Sequence, residues 1–133
     1  KYREAAEIAY GLGSKVALAD ELYARAVSAD PALAVGQKIQ ALKQWPSPSP
    51  VYNYYLSSLF AQAGRFRDAS AVLAPYLTQL TSFGDLAPAV AADACWFLEQ
   101  SGGSRENLRT LLLSQLPLAE QKVHFEKRLR EEG

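Results

Sequence analysis

The chain has 133 residues, 49% of them hydrophobic, and its 14 basic and 14 acidic side chains cancel. A chain of this length can bury a core for one domain without disulfides, and its charge balance does not favour nucleic acid, an anionic membrane or an acidic substrate. The single cysteine, Cys95, excludes an internal disulfide and a multi-cysteine metal site. No apolar run reaches the roughly 18 residues of a membrane span. The start at Lys1 and the lack of methionine predict a fragment of a longer protein.

Apolar residues recur with the 3.6-residue period of an amphipathic helix in almost every segment, and no segment alternates like a strand. The sequence therefore predicts an all-α fold of about eight helices, whose short connections favour antiparallel hairpins. The predicted helices span residues 2–12, 15–29, 32–44, 51–63, 66–81, 86–100, 105–115 and 118–131.

Capping residues mark several of the predicted helix ends. The pairs Asp30–Pro31 and Ser49–Pro50 place a capping side chain before a proline at the first helical position, where the missing amide costs nothing. Ser104 offers a further cap, and Gly64 and Gly102–Gly103 suit tight turns after helices.

The segment QWPSPSP, residues 44–50, separates two predicted helices. A residue before proline is disfavoured in the α conformation, so helix 32–44 should end near Trp45. Three alternating prolines favour an extended strut. We interpret the segment as structural punctuation. A docking motif, or phosphorylation of Ser47 and Ser49 ahead of their prolines, remains an alternative.

Two stretches resemble the tetratricopeptide repeat (TPR), a helix–turn–helix unit of about 34 residues. In the first stretch the matching residues are Tyr10, Ala19, Tyr23, Ala26 and Pro31. In the second they are Leu56, Ser57, Phe60, Gly64, Phe66, Ala69 and Leu73. Small residues at such positions let two helices approach closely. The distance from Ala19 to Ala69 exceeds one repeat by about the length of a helix, which predicts an insertion.

The resemblance implies a right-handed superhelix of antiparallel hairpins in one domain, residues 1–133. Its parts are repeat 1 at 1–31, an inserted helix and Pro-Ser linker at 32–50, repeat 2 at 51–83, a degenerate repeat 3 at 84–116 and a capping helix at 117–133. The last helix alternates basic and acidic residues, which fits a polar cap that closes a repeat stack better than a nucleic-acid surface.

No catalytic constellation is evident in the sequence. The single histidine, His124, lies on a charged helix four residues after Glu120, and no nucleophile–base–orienter set can be assembled around it. Phosphate-binding and dinucleotide-binding loops are absent. We therefore predict a non-catalytic protein with no cofactor and no metal.

The TPR resemblance implies a groove, lined by the first helix of each hairpin, that holds a partner protein or peptide. Carried over by position, the partner-binding residues are Ile8, Leu12, Tyr54, Ser58, Gln62, Trp96 and Gln100. The family's carboxylate clamp is absent, because its positions hold Glu4, Ile8, Ser58, Ala89 and Asp93. The uncharged stretch 44–64 contains several aromatic residues and predicts an apolar, aromatic ligand surface. The alternative is burial of these rings against helix 32–44.

The predicted function is thus a cytoplasmic scaffold or adaptor that binds another protein or peptide, with no nucleic acid and no membrane insertion of this segment. Tethering to a membrane by a segment outside this sequence stays open. Two alternatives stand beside it. One is a TPR domain in a membrane-anchored bacterial secretion or exopolysaccharide assembly component, and the other is a secretion chaperone.

Overall fold

The computed structural model describes residues 17–132, and every regular element in this range is helical, which confirms the all-α prediction for it. Its α-helices are α1 (Ala17–Ala29), α2 (Val35–Gln44), α3 (Pro50–Gln62), α4 (Phe66–Leu73), α5 (Ala87–Gln100), α6 (Arg105–Gln115) and α7 (Ala119–Glu132). A 3₁₀ segment, Ala74–Leu86, connects α4 to α5. None of the described helices combines the length and the apolar character needed to cross a membrane. The predicted helix 2–12 lies outside the described residues.

The chain divides into two compact units, one ending at Arg65 and the other beginning at Phe66. In the first unit, α1, α2 and α3 pack on one another. In the second unit, α5 contacts α4, the 3₁₀ segment, α6 and α7. The boundary between the units falls inside residues 51–83, which the TPR resemblance assigns to repeat 2.

The proline-rich segment of the first unit is held by hydrogen bonds at both of its serines. Ser49 caps α3, because its hydroxyl accepts the amide of Tyr52 at 3.4 Å, which confirms the predicted cap. The Ser47 hydroxyl donates to the buried carboxylate of Asp20 in α1 and accepts the amide of Ser49 at 3.1 Å. The side-chain amide of Asn53 donates to the carbonyls of both serines at 2.8 Å. These contacts support the interpretation as structural punctuation.

Tyr52 joins the start of α3 to the end of α2. Its side chain is 1% exposed, and its hydroxyl hydrogen faces the carbonyl of Leu42 at 2.8 Å and that of Trp45. Both carbonyls belong to the end of α2, where helical geometry leaves the last four carbonyls without an intrahelical donor. The expected helix end near Trp45 is confirmed, since α2 ends at Gln44.

The start of α2 differs from the prediction. The Asp30 carboxylate accepts the amide of Ala32 at 2.8 Å and so caps a turn, whereas the helix begins only at Val35. At the start of α2 itself, the amide of Ala34 donates to the side-chain carbonyl of Gln37 at 2.8 Å. The aspartate thus caps a local turn ahead of the helix, which is a common use of its short carboxylate.

Glycines end α3 and α5 as predicted. Gly64 and Gly102 have φ angles of +76° and +99°, in the left-handed region that favours glycine. The next amide then returns to a carbonyl in the last turn of the helix, at 2.8 Å for Arg65 and 2.9 Å for Gly103. This is the usual hydrogen-bonding pattern at a glycine-terminated helix.

The prediction of one continuous helix over 66–81 is wrong. The α-helix ends at Leu73, and the chain continues in 3₁₀ turns that are interrupted at Gln79 and Gly84. Pro75 explains the break, because it has no amide to donate and disfavours the α conformation of the residue before it.

Gln115 of α6 compensates for the interruption at Gln79. Its side-chain carbonyl accepts the amide of Leu80 at 3.0 Å, and its side-chain amide donates to the carbonyl of Leu77 at 2.7 Å. One side chain therefore provides a donor and an acceptor to backbone groups on both sides of the break, and it fixes the 3₁₀ segment to α6.

Helix α5 is the centre of the second unit. Nine of its 14 residues are buried: Ala87, Pro88, Val90, Ala91, Ala92, Asp93, Ala94, Cys95 and Phe97. A helix that is apolar all round is one that other elements surround. The alanines let α4, α6, α7 and the 3₁₀ segment approach it on different sides.

Candidate functional site

The predicted partner-binding residues fall in different parts of the chain. Ile8 and Leu12 lie outside the described residues. Tyr54, Ser58 and Gln62 lie on α3 of the first unit, whereas Trp96 and Gln100 lie on α5 of the second.

The three predicted residues of α3 form a stripe along one side of the helix, which we name the α3 stripe. Tyr54, Ser58 and Gln62 follow one another at intervals of four residues, the spacing of neighbours on a helix surface. The first two side chains are half-buried and Gln62 is exposed. The ring of Tyr55 lies beside that of Tyr54, with 6.3 Å between centroids. From Gln44 to Gly64 the sequence contains no charged residue, so the stripe is uncharged.

The aromatic stretch 52–60 divides between core and surface. Tyr52 and Phe60 are 1% and 4% exposed and belong to the core of the first unit. Tyr54 and Tyr55 are only half-buried. Positions 52 and 54 point in directions about 200° apart on a helix, so one helix cannot bury all of these rings against the same neighbours. Burial against the preceding helix therefore holds for Tyr52, whose hydroxyl contacts the end of α2, whereas a ligand surface at Tyr54 and Tyr55 stays a prediction.

Trp96 is anchored in an aromatic cluster of the second unit. Its ring meets that of Phe66 edge-on, with 5.1 Å between centroids, and lies 5.8 Å from that of Phe97. The Trp96 side chain is half-buried, and Gln100, one turn further along α5, is exposed. The indole therefore packs inside its unit and reaches the surface with only part of its area.

A cleft between α6 and α7, here the α6–α7 cleft, did not follow from the sequence analysis. It has a volume of about 290 Å³ and is lined by Leu113, Lys122, Val123, Glu126 and Arg130. Leu113 comes from α6 and the other four come from α7. Val123 is 66% exposed, so apolar surface of the cleft lies open to water.

The charges in the α6–α7 cleft are arranged asymmetrically. Lys122, Glu126 and Arg130 lie at intervals of four residues on the side of α7 that faces the cleft. Glu126 is ion-paired with Arg109 of α6, and this hydrogen bond raises the pKa of the arginine further above its ordinary value. Within residues 17–132, neither Lys122 nor Arg130 forms an ion pair. The cleft is therefore basic at both ends and neutralised in the middle.

A partly buried ion pair connects α7 to α5. The Asp93 carboxylate is buried and accepts two hydrogen bonds from the Arg128 guanidinium, at 3.1 and 3.3 Å. Burial, followed by a hydrogen bond with Asp93 and the negative charge of that residue, raises the pKa of the neighbouring Glu132 to about 8. Asp93 thus serves the packing of the second unit.

Nucleophilic and metal chemistry finds little support in the described part of the chain. Burial raises the pKa of the Cys95 thiol to about 12, so the reactive thiolate is suppressed. His124 is exposed on α7. Among residues 17–132, no group of three or more His, Cys, Asp or Glu side chains is placed to hold a metal ion.

The comparisons with known proteins give no relative: no protein-family model, no curated protein and no solved structure matches the chain. The fold and the surfaces define an all-α protein with an uncharged stripe on α3 and a basic-ended cleft between α6 and α7. Function is therefore inferred from these two surfaces.

Proposed function

We propose that this chain is a TPR-like helical module that binds another protein or a peptide and catalyses no reaction. The observation that carries the proposal is the α3 stripe, where Tyr54, Ser58 and Gln62 reach the surface within a stretch, residues 44–64, that contains no charged residue. Tyrosine is enriched at binding hot spots. An uncharged surface also avoids the desolvation cost of burying unpaired charges in a complex.

Burial at the repeat positions supports the TPR-like part of the proposal. The resemblance requires small residues and large apolar or aromatic residues where two helices touch. Among the described residues at those positions, Tyr23 and Phe66 are half-buried. The buried ones are Ala19, Ala26, Leu56, Ser57, Phe60, Ala69 and Leu73. The right-handed superhelix belongs to this proposal. So does a cytoplasmic location, since one buried free thiol fits a reducing compartment.

The test is partner binding by Tyr54→Ala. Tagged wild-type protein is used to isolate partners from cells, and the affinity of each identified partner is then measured by calorimetry. If Tyr54 is a hot spot, Tyr54→Ala weakens the complex by at least about 30-fold. The control is Leu22→Ala on α1, which truncates another partly exposed large side chain of the first unit. Full affinity of a folded Tyr54→Ala variant would rule out the α3 stripe as the binding surface.

The corresponding change in α5, Trp96→Ala, separates packing from binding. Because the indole contacts Phe66 and Phe97, we expect this variant to lose about 2–4 kcal/mol of stability, somewhat less than a fully buried tryptophan would. Loss of partner affinity with unchanged melting would instead place Trp96 in the interface.

A further inference from the structure

We propose that the α6–α7 cleft binds an acidic peptide segment of another protein. The segment inserts one large apolar side chain into the cleft, and it carries one carboxylate on each side of that residue in its own sequence. This inference concerns the second unit and residues other than the α3 stripe. It goes beyond the proposed function, because it assigns a separate surface and the chemistry of its ligand.

The size and lining of the cleft define the central element of the ligand. A volume of about 290 Å³ is at the lower end for ligand pockets, so the cleft accepts one or two side chains. Leu113 on one wall and Val123 on the other provide an apolar contact. Val123 is 66% exposed, so covering it removes apolar surface from water.

The charges at the two ends of the cleft define the flanking elements. Lys122 and Arg130 are exposed and form no ion pair with any residue between 17 and 132, whereas Glu126 between them is paired with Arg109. A carboxylate that meets an arginine or lysine forms a charge-assisted hydrogen bond. Basic residues on the ligand would be repelled by Lys122 and Arg130, so the cleft selects acidic segments.

The spacing of these cations gives a sequence motif for the ligand. Lys122 and Arg130 are eight residues apart on α7, which corresponds to about 12 Å along a helix axis. An extended peptide covers about the same distance in four residues. The expected motif is therefore an acidic residue, a spacer, a large apolar residue, a second spacer and a second acidic residue.

Two other occupants fit the cleft less well. A second copy that docks by two-fold symmetry would bring Lys122 and Arg130 close to the same basic residues of its partner. Nucleic acid would meet the apolar side chain of Val123, and two further carboxylates, Glu120 and Glu131, are exposed on the same helix. The whole chain also has no net positive charge to attract a polyanion.

The experiment selects peptides from a random phage-displayed library on the full chain, with counter-selection on the double variant Lys122→Glu/Arg130→Glu. We expect enrichment of the acidic–apolar–acidic motif. A fluorescein-labelled selected peptide should bind wild type and lose at least about tenfold in affinity to the double variant. Val123→Asp should have a similar effect.

The matched controls are Lys43→Glu/Arg67→Glu, which makes the same charge change at exposed sites, and Leu111→Asp, at an exposed apolar site of α6. Both controls should bind like wild type, and circular dichroism checks that every variant is folded.

Several results would overturn the inference. They are enrichment of basic or uncharged peptides, no enrichment over the double variant, or equal loss of binding in the controls. Displacement of the peptide by a single-stranded oligonucleotide would assign the cleft to nucleic acid. Self-association that the double variant abolishes would assign it to a second copy.

Tyr54→Ala should leave peptide binding unchanged, and Lys122→Glu/Arg130→Glu should leave Tyr54-dependent binding unchanged. The two proposals can therefore fail separately.

Discussion

Replacing Tyr52 by phenylalanine tests how the first unit closes the end of α2. The substitution keeps the buried ring and removes only the hydroxyl, which faces the carbonyls of Leu42 and Trp45. A hydroxyl has one hydrogen, so the loss amounts to one hydrogen bond shared between two acceptors. Removing the donor from a buried acceptor costs about 1–3 kcal/mol. Burial also raises the pKa of the Tyr52 phenol above its ordinary value, so the hydroxyl remains a donor at any pH of interest.

The two tryptophans of the chain make this measurement specific to one unit. Trp45 belongs to the first unit and Trp96 to the second, so in a Trp96→Phe background the indole fluorescence reports on the first unit. Urea denaturation slopes are typically about 1–3 kcal/mol per molar, so Tyr52→Phe should lower the midpoint by about 1 M. The control is Tyr55→Phe on the same helix, which is half-buried and should change stability by less than about 0.5 kcal/mol. Equal midpoints for the two variants would refute the role of the Tyr52 hydroxyl.

Three further predictions concern the second unit. Ala69→Trp should lower its stability by about 1–3 kcal/mol or more, because Ala69 is fully buried on α4, and an unchanged melting temperature would contradict this. Cys95 should resist iodoacetamide at neutral pH in the native protein and react fully in urea, since its pKa is about 12, and rapid native alkylation would refute its burial. The pKa of Glu132 is raised from 4.5 to about 8 in the folded state, so its contribution to stability is present below pH 4.5 and is lost as the pH rises through 8. The free energy of unfolding of Glu132→Gln, measured by urea denaturation, should match that of wild type at the acidic end and exceed it above pH 8 by about 1 kcal/mol after allowance for a half-exposed side chain, whereas parallel pH profiles would contradict this.

Several helix boundaries followed from the local sequence, whereas Asp30 before Pro31 caps a turn and not the helix. Ser49 before a proline and Gly102 after an apolar run act through their own geometry, and both predictions are confirmed. The failure at 66–81 also had a local signal, because Pro75 interrupts the amphipathic stripe that favoured one long helix. The compensation by Gln115 did not follow from any local pattern. It depends on the packing of α6 against a segment 35 residues earlier in the chain.

The candidate sites were harder to predict than the fold, for two physical reasons. The residues of the α3 stripe were predicted by position from the TPR resemblance, but the burial of Tyr52 beside it depends on which neighbours the helix meets. The α6–α7 cleft was missed because basic and acidic residues alternate along α7, so that their charges cancel when they are counted along the sequence. Projection at about 100° per residue would have placed Lys122, Glu126 and Arg130 on one side. The pairing that neutralises Glu126 comes from another helix.

The enclosure of α5 has a consequence for how this protein can diverge. A helix with nine of its 14 residues buried offers few positions where a larger side chain can be accepted without displacing a neighbour. The exposed sides of α3 and α7, which carry the two proposed binding surfaces, have no such restriction, so their side chains can change while the fold is kept. In a library of all single substitutions, α5 should therefore be the least tolerant helix of the second unit. Relatives too distant to share either binding surface should still keep its run of small residues.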